Sequence, residues 1–241
     1  MDLRLALMAG VDIPVPECHL ILHQPKIKEI SFIGESVFFT AVQCLCLNKT
    51  SFIEDESLLN ATSNFQIFMT VMSSDEAVEK KQDVLQLLTL LFPQYKIILT
   101  PRSILFNGND SQSMIDESNF DIFQEIVRKI FCTSSSPMDQ TTFNPADKKA
   151  EEIAAKLMKA RQRVAEQNGA AGSSVFSQYL SILTVGLSSM SMFDLLNLTM
   201  YQLYDLIERY MLFTNWDMDI RSRLAGGKPD SKPDNWMKNI H

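Results

Sequence analysis

The sequence lacks the motifs that mark the common enzyme classes. Among its 241 residues there is no GxSxG, P-loop, GxGxxG or HExxH pattern, so nothing indicates a serine hydrolase, a nucleotide-binding enzyme or a zinc protease. The three histidines, His19, His23 and His241, are not accompanied by further ligands that would complete a metal site. Neighbouring carboxylates such as Glu151 and Glu152 lie in charged stretches, where solvated side chains are expected. The sequence therefore predicts a protein that is not an enzyme and that uses no metal or cofactor.

Cysteine is scarce as well. The chain has four cysteines, Cys18, Cys44, Cys46 and Cys132, and no CxxC pair. A disulfide framework is not expected in a chain of this length with so few cysteines. Cys44 and Cys46 lie in an apolar run, which predicts buried free thiols. This cysteine usage favours a reducing compartment.

The chain has no block of basic residues. Lys and Arg total 22 against 29 Asp and Glu, and the formal net charge of -7 is spread along the sequence. Because phosphate contacts require clustered cations, nucleic acid is not a predicted partner.

No hydrophobic run is convincing as a membrane span. Residues 175–193 carry no charge, but they include five serines together with Gln178 and Gly186, which favours a buried helix. Near the N-terminus, Arg4 and Asp12 interrupt a short apolar piece, so no secretory signal is predicted. The sequence does not predict a membrane as a partner.

Apolar periodicity is what the sequence does contain. It predicts a mainly α protein with a small antiparallel β element, an α+β fold whose C-terminal part is helical. The predicted organisation is an N-terminal α+β domain at 1–133, a linker at 134–143, a helical domain at 144–225 and a flexible tail at 226–241. The linker contains most of the polar stretch CTSSSPMDQTT, which cannot bury much surface.

The first part of the N-terminal domain is predicted to consist of an extended segment, a strand and a helix. Residues 1–15 are expected to be extended, and the strand CHLILHQP is expected to end at Pro25. One helix is predicted over 30–45, weakened near its start by Gly34. The stretch NKTSFIEDESLLNATSN that follows is predicted to be a polar connector.

Three helices and a sheet are predicted for the rest of this domain. The helices cover 64–72, the stretch between Asp75 and Pro93, and the stretch from an Asn119 cap through Phe131. Two β-rich pieces flank the turn signal Asn107-Gly108, so a small antiparallel sheet is expected there. The strand around Leu20 is a candidate to join that sheet.

The helical domain is predicted to open with a charged helix. Asn144 and Pro145 fit its first positions, and Asn168-Gly169 fits its end. Its apolar stripe, formed by Ile153, Leu157 and Val164, is narrow. The helix is therefore either a solvated surface helix or one that presents its stripe to a partner.

Two capping boxes then predict a short helix followed at once by a long one. Ser191 with Asp194 marks the first start, and Thr199 with Gln202 marks the second. The long helix is expected to run from about residue 200 to 224.

The long helix and the tail carry the predicted partner-binding residues. One apolar helix face is formed by Leu203, Ile207, Tyr210 and Met211, and the aromatic candidates outside it are Trp216 and Trp236. The chain has 13 methionines, a residue suited to adaptable hydrophobic contacts. Packing in the chain's own core is the alternative for this face.

Three segments resemble proteins encoded among the tail genes of tailed bacteriophages. They are LHQPKIKEISFIGESVFFTAVQ, NPADKKAEEIAAKLMKARQRVA, and SQYLSILTVGLSSMSMFDLLNLTMYQLYDLIERY with the later DIRSRLAGG. The family consists of tail assembly chaperones and small baseplate hub proteins. The resemblance implies a mostly helical protein without enzymatic activity.

The resemblance implies a role in tail assembly through binding of other phage tail or baseplate proteins, with a homo-oligomer also possible. The protein would then be found in the host cytoplasm during assembly or in the virion. A structural subunit retained in the tail or baseplate is the alternative function, and an enzyme of unknown type ranks below both.

Overall fold

The computed structural model describes residues 2–51, 53, 55–74, 78–107, 112–133, 174–226, 235–238 and 240. These residues form mostly helices together with two small antiparallel sheets, so the predicted α+β class is confirmed. The chain divides into two compact units. The first unit is Met1–Ser134 with Phe193–Leu206, and the second unit is Ser135–Met192 with Ile207–His241. The domain boundaries at 133 and 225 stay a prediction.

The elements are numbered along the chain. The helices are α1 (Leu3–Ala9), α2 (Ile27–Ile33), α3 (Glu35–Leu45), α4 (Glu56–Ala61), α5 (Asn64–Ser73), α6 (Val78–Leu91), α7 (Phe120–Ile130), α8 (Val175–Gly186), α9 (Met192–Leu196) and α10 (Met200–Leu224). The strands are β1 (Ile13–Val15), β2 (Leu20–Leu22), β3 (Lys96–Thr100), β4 (Ser103–Asn107) and β5 (Gln112–Ile115). Short 3₁₀ turns lie at Pro16–Cys18 and Lys49–Ser51.

The sequence had predicted an extended arm for the N-terminal residues, but the structure has a helix there. Helix α1 begins at Leu3, where the Asp2 carboxylate accepts from the backbone N–H of Leu5 at 3.2 Å. Gly10 ends the helix in the left-handed conformation, with φ of 65°. Both capping residues are visible in the sequence, so the prediction missed a short helix that local chemistry specifies.

The single helix predicted over 30–45 is two helices. Gly34 separates α2 from α3 with φ of 87° and ψ of 146°, a conformation that essentially only glycine adopts. The apolar face still continues across the break, because Ile30, Phe38 and Leu45 are all fully buried. The connector after α3 also differs from the prediction, since it contains helix α4.

The strand predicted around Leu20 is β2, but it does not join the middle sheet. It pairs antiparallel with β1, with Ile13 opposite Leu22 and Val15 opposite Leu20. The reason is proximity in sequence, since the 3₁₀ turn at Pro16–Cys18 brings β1 and β2 together as a hairpin. One side-chain bond reaches the other sheet, where the Ser113 hydroxyl donates to the His19 carbonyl at 2.9 Å.

The predicted middle sheet is confirmed with three strands rather than two. Its order is β3-β4-β5, and both pairings are antiparallel. Thr100 lies opposite Ser103 across a two-residue turn, and Asn107 lies opposite Gln112. Ile104, Phe106 and Ile115 face the core from this sheet and are fully buried.

Helix α7 has the inward face that the sequence predicts. Its buried side chains include Phe120, Phe123, Val127 and Ile130. Asn119 precedes the helix but does not cap it through its side chain, which corrects the prediction. Instead, its side chain accepts from the N–H of Asp116 and donates to the carbonyls of Glu17 and Met114. The residue therefore ties the start of α7 to the turn after β1.

Polar side chains on α7 also donate hydrogen bonds to the backbone carbonyls at the C-terminal end of α3. Gln124 is buried and donates from Nε2 to the carbonyls of Leu45 and Leu47, at 2.9 and 2.7 Å. Arg128 donates to the carbonyl of Cys46 at 3.0 Å. The last carbonyls of a helix have no partner within it, so these bonds satisfy groups that burial would otherwise leave unpaired.

The first unit holds the start of α10. The predicted capping box is present, because the N–H of Gln202 donates to the Thr199 hydroxyl and the Gln202 side chain accepts from the N–H of Thr199. Gln202 also donates from Nε2 to the carbonyl of Met8, at 2.8 Å. In addition, Ile27 donates its N–H to the carbonyl of Leu198, at 2.9 Å.

Several predictions concern residues outside the described ranges. These are the linker at 134–143, the charged helix after Asn144 with its stripe, the Asn107-Gly108 turn beyond Asn107, and most of the tail from 226 to 241. The uncharged run predicted as a helix forms α8 and part of α9. In the part of the chain that the structure describes, no helix combines the length and the apolar character needed to cross a membrane.

Candidate partner-binding surface

The predicted partner face of α10 has two kinds of residue. Leu203 and Ile207 are buried, with 0% and 1% of their surface exposed, so they lie in the core and not on an open surface. Tyr210 is half-buried and packs against Gly186 of α8, in the second unit. Met211 is 39% exposed. Only the C-terminal end of the predicted face is therefore open to a partner.

The two predicted tryptophans, Trp216 and Trp236, form an aromatic cluster together with Phe213. The ring of Trp236 meets Phe213 edge to face, with 5.4 Å between centroids, and lies 6.3 Å from Trp216. Phe213 and Trp216 are themselves 6.0 Å apart on neighbouring turns of α10. The structure thus brings together Trp216 and Trp236, which the sequence had proposed separately. We call these three residues the aromatic cluster.

Arg209 fixes the C-terminal segment against α10. Its Nη1 donates to the carbonyl of Trp236 at 2.6 Å and to the carbonyl of Lys238 at 3.0 Å. Both bonds are charge-assisted, which makes them stronger than neutral hydrogen bonds. Residues 235–238, which we call the arm, are thereby held on the helix by one guanidinium and one aromatic ring.

Apolar surface remains open around the aromatic cluster. Phe213 is 44% exposed even with the arm in place, and Met218 and Met237 are more exposed still. Arg, Trp and other aromatic residues dominate the binding energy of protein interfaces, and methionine adapts its shape to different partners. This combination is typical of protein-binding surfaces.

Sequence reasoning missed Arg209 and Phe213 as members of this surface. The spacing of Phe213 and Trp216 by three residues places them side by side on a helix, and this signal is visible in the sequence. Arg209 gives no such signal, because its acceptors are backbone carbonyls 27 and 29 residues away.

Two ion pairs border the surface toward the end of α10. Asp217 pairs with Arg221 at 2.8 Å, and Asp219 pairs with Arg223 at 3.0 Å, as their spacing predicts. Each pair contributes only a few tenths of a kcal/mol to the helix.

The described residues also include buried thiols and a histidine that lies between two carboxylates. Burial raises the pKa of the Cys18 thiol and of the Cys46 thiol to about 11 in each case, so both stay protonated and unreactive at neutral pH. His23 lies between Asp12 at 2.9 Å and Glu29 at 3.4 Å. The residues that the structure describes include no group of three or more His, Cys, Asp or Glu side chains that could hold a metal ion.

Glu29 is held by its position at the start of α2. Burial alone would raise its pKa, but a hydrogen bond from the N–H of Lys26, at 2.7 Å, acts in the opposite direction. The hydrogen bond and charge of His23 and the charge of Lys26 act with it, so the pKa of Glu29 is lowered overall. This carboxylate therefore stabilises the fold as a helix cap.

The C-terminal part of the chain is similar to a phage-associated protein domain. The family model that matches is that of the YomV second domain, and the match covers residues 170–241. Those residues contain α8, α9, α10 and the arm, and hence the whole aromatic cluster. No curated protein and no solved structure matches the chain. The phage association agrees with the predicted phage origin, while the roles in tail assembly and the baseplate stay predictions.

Proposed function

We propose that this protein is a non-enzymatic phage tail or baseplate protein that acts in tail assembly by binding other tail proteins. The observation that carries this proposal is the partly exposed aromatic cluster on α10, bordered by open methionines. The similarity of residues 170–241 to a phage-associated domain and the resemblance of three sequence segments to tail proteins support the same assignment.

The partner surface of this proposal consists of Met211, Phe213, Trp216 and Met218 on α10, with Trp236 from the arm. Its partner is an apolar segment of another tail protein. Aromatic side chains provide large contact area at a low cost in conformational entropy. The methionines would let the same surface accept segments of different shape.

Direct binding to purified tail and baseplate proteins of the encoding phage tests the surface. Phe213→Ala should weaken binding by about tenfold or more, the size expected for removal of a central interface side chain. Phe32→Ala is the matched control, because Phe32 is an aromatic on α2 with 88% of its surface exposed. Equal binding by the wild type and Phe213→Ala would show that another surface makes the contact.

Quantitative mass spectrometry of purified particles tests the stage at which the protein acts. Absence from particles, combined with abundance in infected cells, is expected for an assembly chaperone. A fixed copy number per particle would instead identify a structural subunit that stays in the tail or baseplate. If the protein has no contact with any tail protein and is absent from particles, the proposed function is wrong.

A further inference from the structure

Strand β3 has an edge with unpaired backbone groups. Thr100 and Ser103 face each other across the two-residue turn, and hydrogen-bonded pairs alternate along the strands from there. Ile97 and Leu99 therefore point their N–H and C=O groups away from β4. Within the part of the chain that the structure describes, neither residue makes a backbone hydrogen bond beyond the β3–β4 ladder. We call the outward N–H and C=O groups of these two residues the β3 edge.

The opposite edge of the same sheet is covered. The carbonyl of Met114 points outward from β5 and accepts from Asn119 Nδ2 at 3.1 Å. Folded proteins usually cover or block their sheet edges, because unpaired ladder groups can pair with another chain. We propose that the β3 edge binds an extended segment of another protein, with a carboxylate in it, as a fourth and antiparallel strand.

A groove beside Leu99 receives side chains of the added strand. It lies between β3, the turn after β3, α5 and the start of α6, and its lining includes Met69, Met72, Val78, Lys81, Leu99 and Pro101. Its volume of about 240 Å³ is below the roughly 300–1,000 Å³ of sites for drug-sized ligands. The groove therefore suits a side chain of a docked strand better than a separate small molecule.

The alternation of the strand determines which side chains enter the groove. Ile97 and Leu99 lie opposite Phe106 and Ile104, which are fully buried, so all four face the core side of the sheet. In an antiparallel pair, residues directly opposite each other place their side chains on the same face. Residues that hydrogen-bond to the β3 edge therefore point their side chains toward the groove, and these positions require apolar residues.

Charge next to the β3 edge selects an acidic partner. Lys81 is the charged residue among the lining of the groove, and Lys96 is exposed at the start of β3. Asn107, which lies opposite Lys96 on β4, is neutral. A carboxylate opposite Lys96 on the added strand would form a cross-strand ion pair.

The solvent-facing side of the sheet has an apolar row that the added strand would lengthen. Ile98 lies opposite Leu105, which in turn lies opposite Met114. Ile98 and Met114 are 38% and 49% exposed. A β-branched residue opposite Ile98 on the added strand would extend this row by one residue.

Synthetic peptides test the proposal on the intact chain. The probe is a short, fluorescently labelled peptide of alternating valine and threonine, with glutamate in place of one threonine. In the antiparallel arrangement the valine N–H groups bond to the β3 edge and the threonine N–H groups face solvent. N-methylation of the valines should therefore weaken binding, measured by fluorescence anisotropy, by about tenfold or more. N-methylation of the threonines is the matched control and should preserve binding.

Exchange of charge tests the acidic preference. Lys96→Glu should weaken binding of the glutamate peptide by about threefold, and it should strengthen binding of the same peptide with lysine in place of glutamate. Lys28→Glu is the matched control, because Lys28 is exposed on α2 and the change in net charge is the same. This variant should bind both peptides as the wild type does.

Hydrogen exchange shows which amides the peptide covers. In the free chain, the amides of Ile97 and Leu99 should exchange faster than that of Ile98, which points toward β4. The peptide should slow exchange at Ile97 and Leu99 by about tenfold or more and leave Ile98 unchanged.

The proposal is overturned if the glutamate peptide shows no binding up to about 1 mM, or if both N-methylated peptides bind equally well. Slow exchange at Ile97 and Leu99 that depends on the concentration of the chain alone would also overturn it, because a second copy would then occupy the β3 edge. These measurements involve no residue of the α10 surface and no phage protein, so their outcome is independent of the proposed function.

Discussion

Arg209 determines whether the arm stays on α10, and Arg209→Ala should release it. The side chain donates two hydrogen bonds, of 2.6 and 3.0 Å, to the carbonyls of Trp236 and Lys238. A hydrogen bond from a charged donor contributes about 1.5–3 kcal/mol, but Arg209 is only half-buried and solvent screening reduces that value. At about 1 kcal/mol for each bond, the loss is about 2 kcal/mol, which lowers the ratio of docked to free arm by about 30-fold.

Tryptophan fluorescence measures this release directly. The chain has two tryptophans, and both belong to the aromatic cluster, so no other tryptophan adds to the signal. In Arg209→Ala, the emission should shift to longer wavelength and quenching by acrylamide should increase, because Trp216 and Trp236 become more exposed. Arg209→Lys should give an intermediate result, since a lysine keeps the charge without the planar fork of donors.

Circular dichroism serves as the control for this measurement. The helix content of Arg209→Ala should match the wild type, because the substitution places alanine, the best helix former, in α10. Unchanged emission and unchanged quenching would refute the reasoning, since they would mean that ring packing alone holds the arm.

Three further predictions concern the stability of the fold. Gly186→Ala should lower the free energy of unfolding by about 1–3 kcal/mol, because the added Cβ would overlap the ring of Tyr210. Urea denaturation measures this loss, and an unchanged midpoint would contradict the contact. Gln124→Leu should cost about 1–3 kcal/mol in the same assay, because it removes the donor from one buried and one part-buried carbonyl at the end of α3. The lowered pKa of Glu29 stabilises the fold above the pKa of the unfolded chain, and this stability is lost as the pH falls through the lowered value. Glu29→Gln should therefore lose less stability than the wild type between neutral and acidic pH, and equal losses would exclude this carboxylate as a source.

Local signals in the sequence predicted the elements well where they were strong. Thr199 and Gln202 specify the start of α10 through bonds made within one helical turn, so their pattern was sufficient. The periodic apolar residues of α7 likewise predicted its buried face. Helix α1 was missed although Asp2 and Gly10 mark its ends, because seven residues are too few to show a periodicity.

The partner surface could be predicted only in part, and the reason is physical. Leu203 and Met211 belong to one apolar face in the sequence, yet one is buried and the other is open. Periodicity identifies the face of a helix that avoids water, but it does not tell the chain's own core from a contact with another protein. The link between Arg209 and the arm was not predictable either, because backbone carbonyls are the same at every residue.

Gly34 and Gly186 are both restricted to glycine, but for opposite reasons. A Cβ at Gly34 would meet nothing within 4 Å, so only the positive φ of 87° excludes ordinary side chains there. At Gly186, a Cβ of ordinary chirality would meet Tyr210. The torsion angles of Gly34, with φ of 87° and ψ of 146°, are unfavourable for a D-amino acid as well, because the mirror image of the extended region combines positive φ with negative ψ. Glycine is therefore the one residue that keeps the corner between α2 and α3 without backbone strain, although an L-alanine methyl group there would touch no other atom.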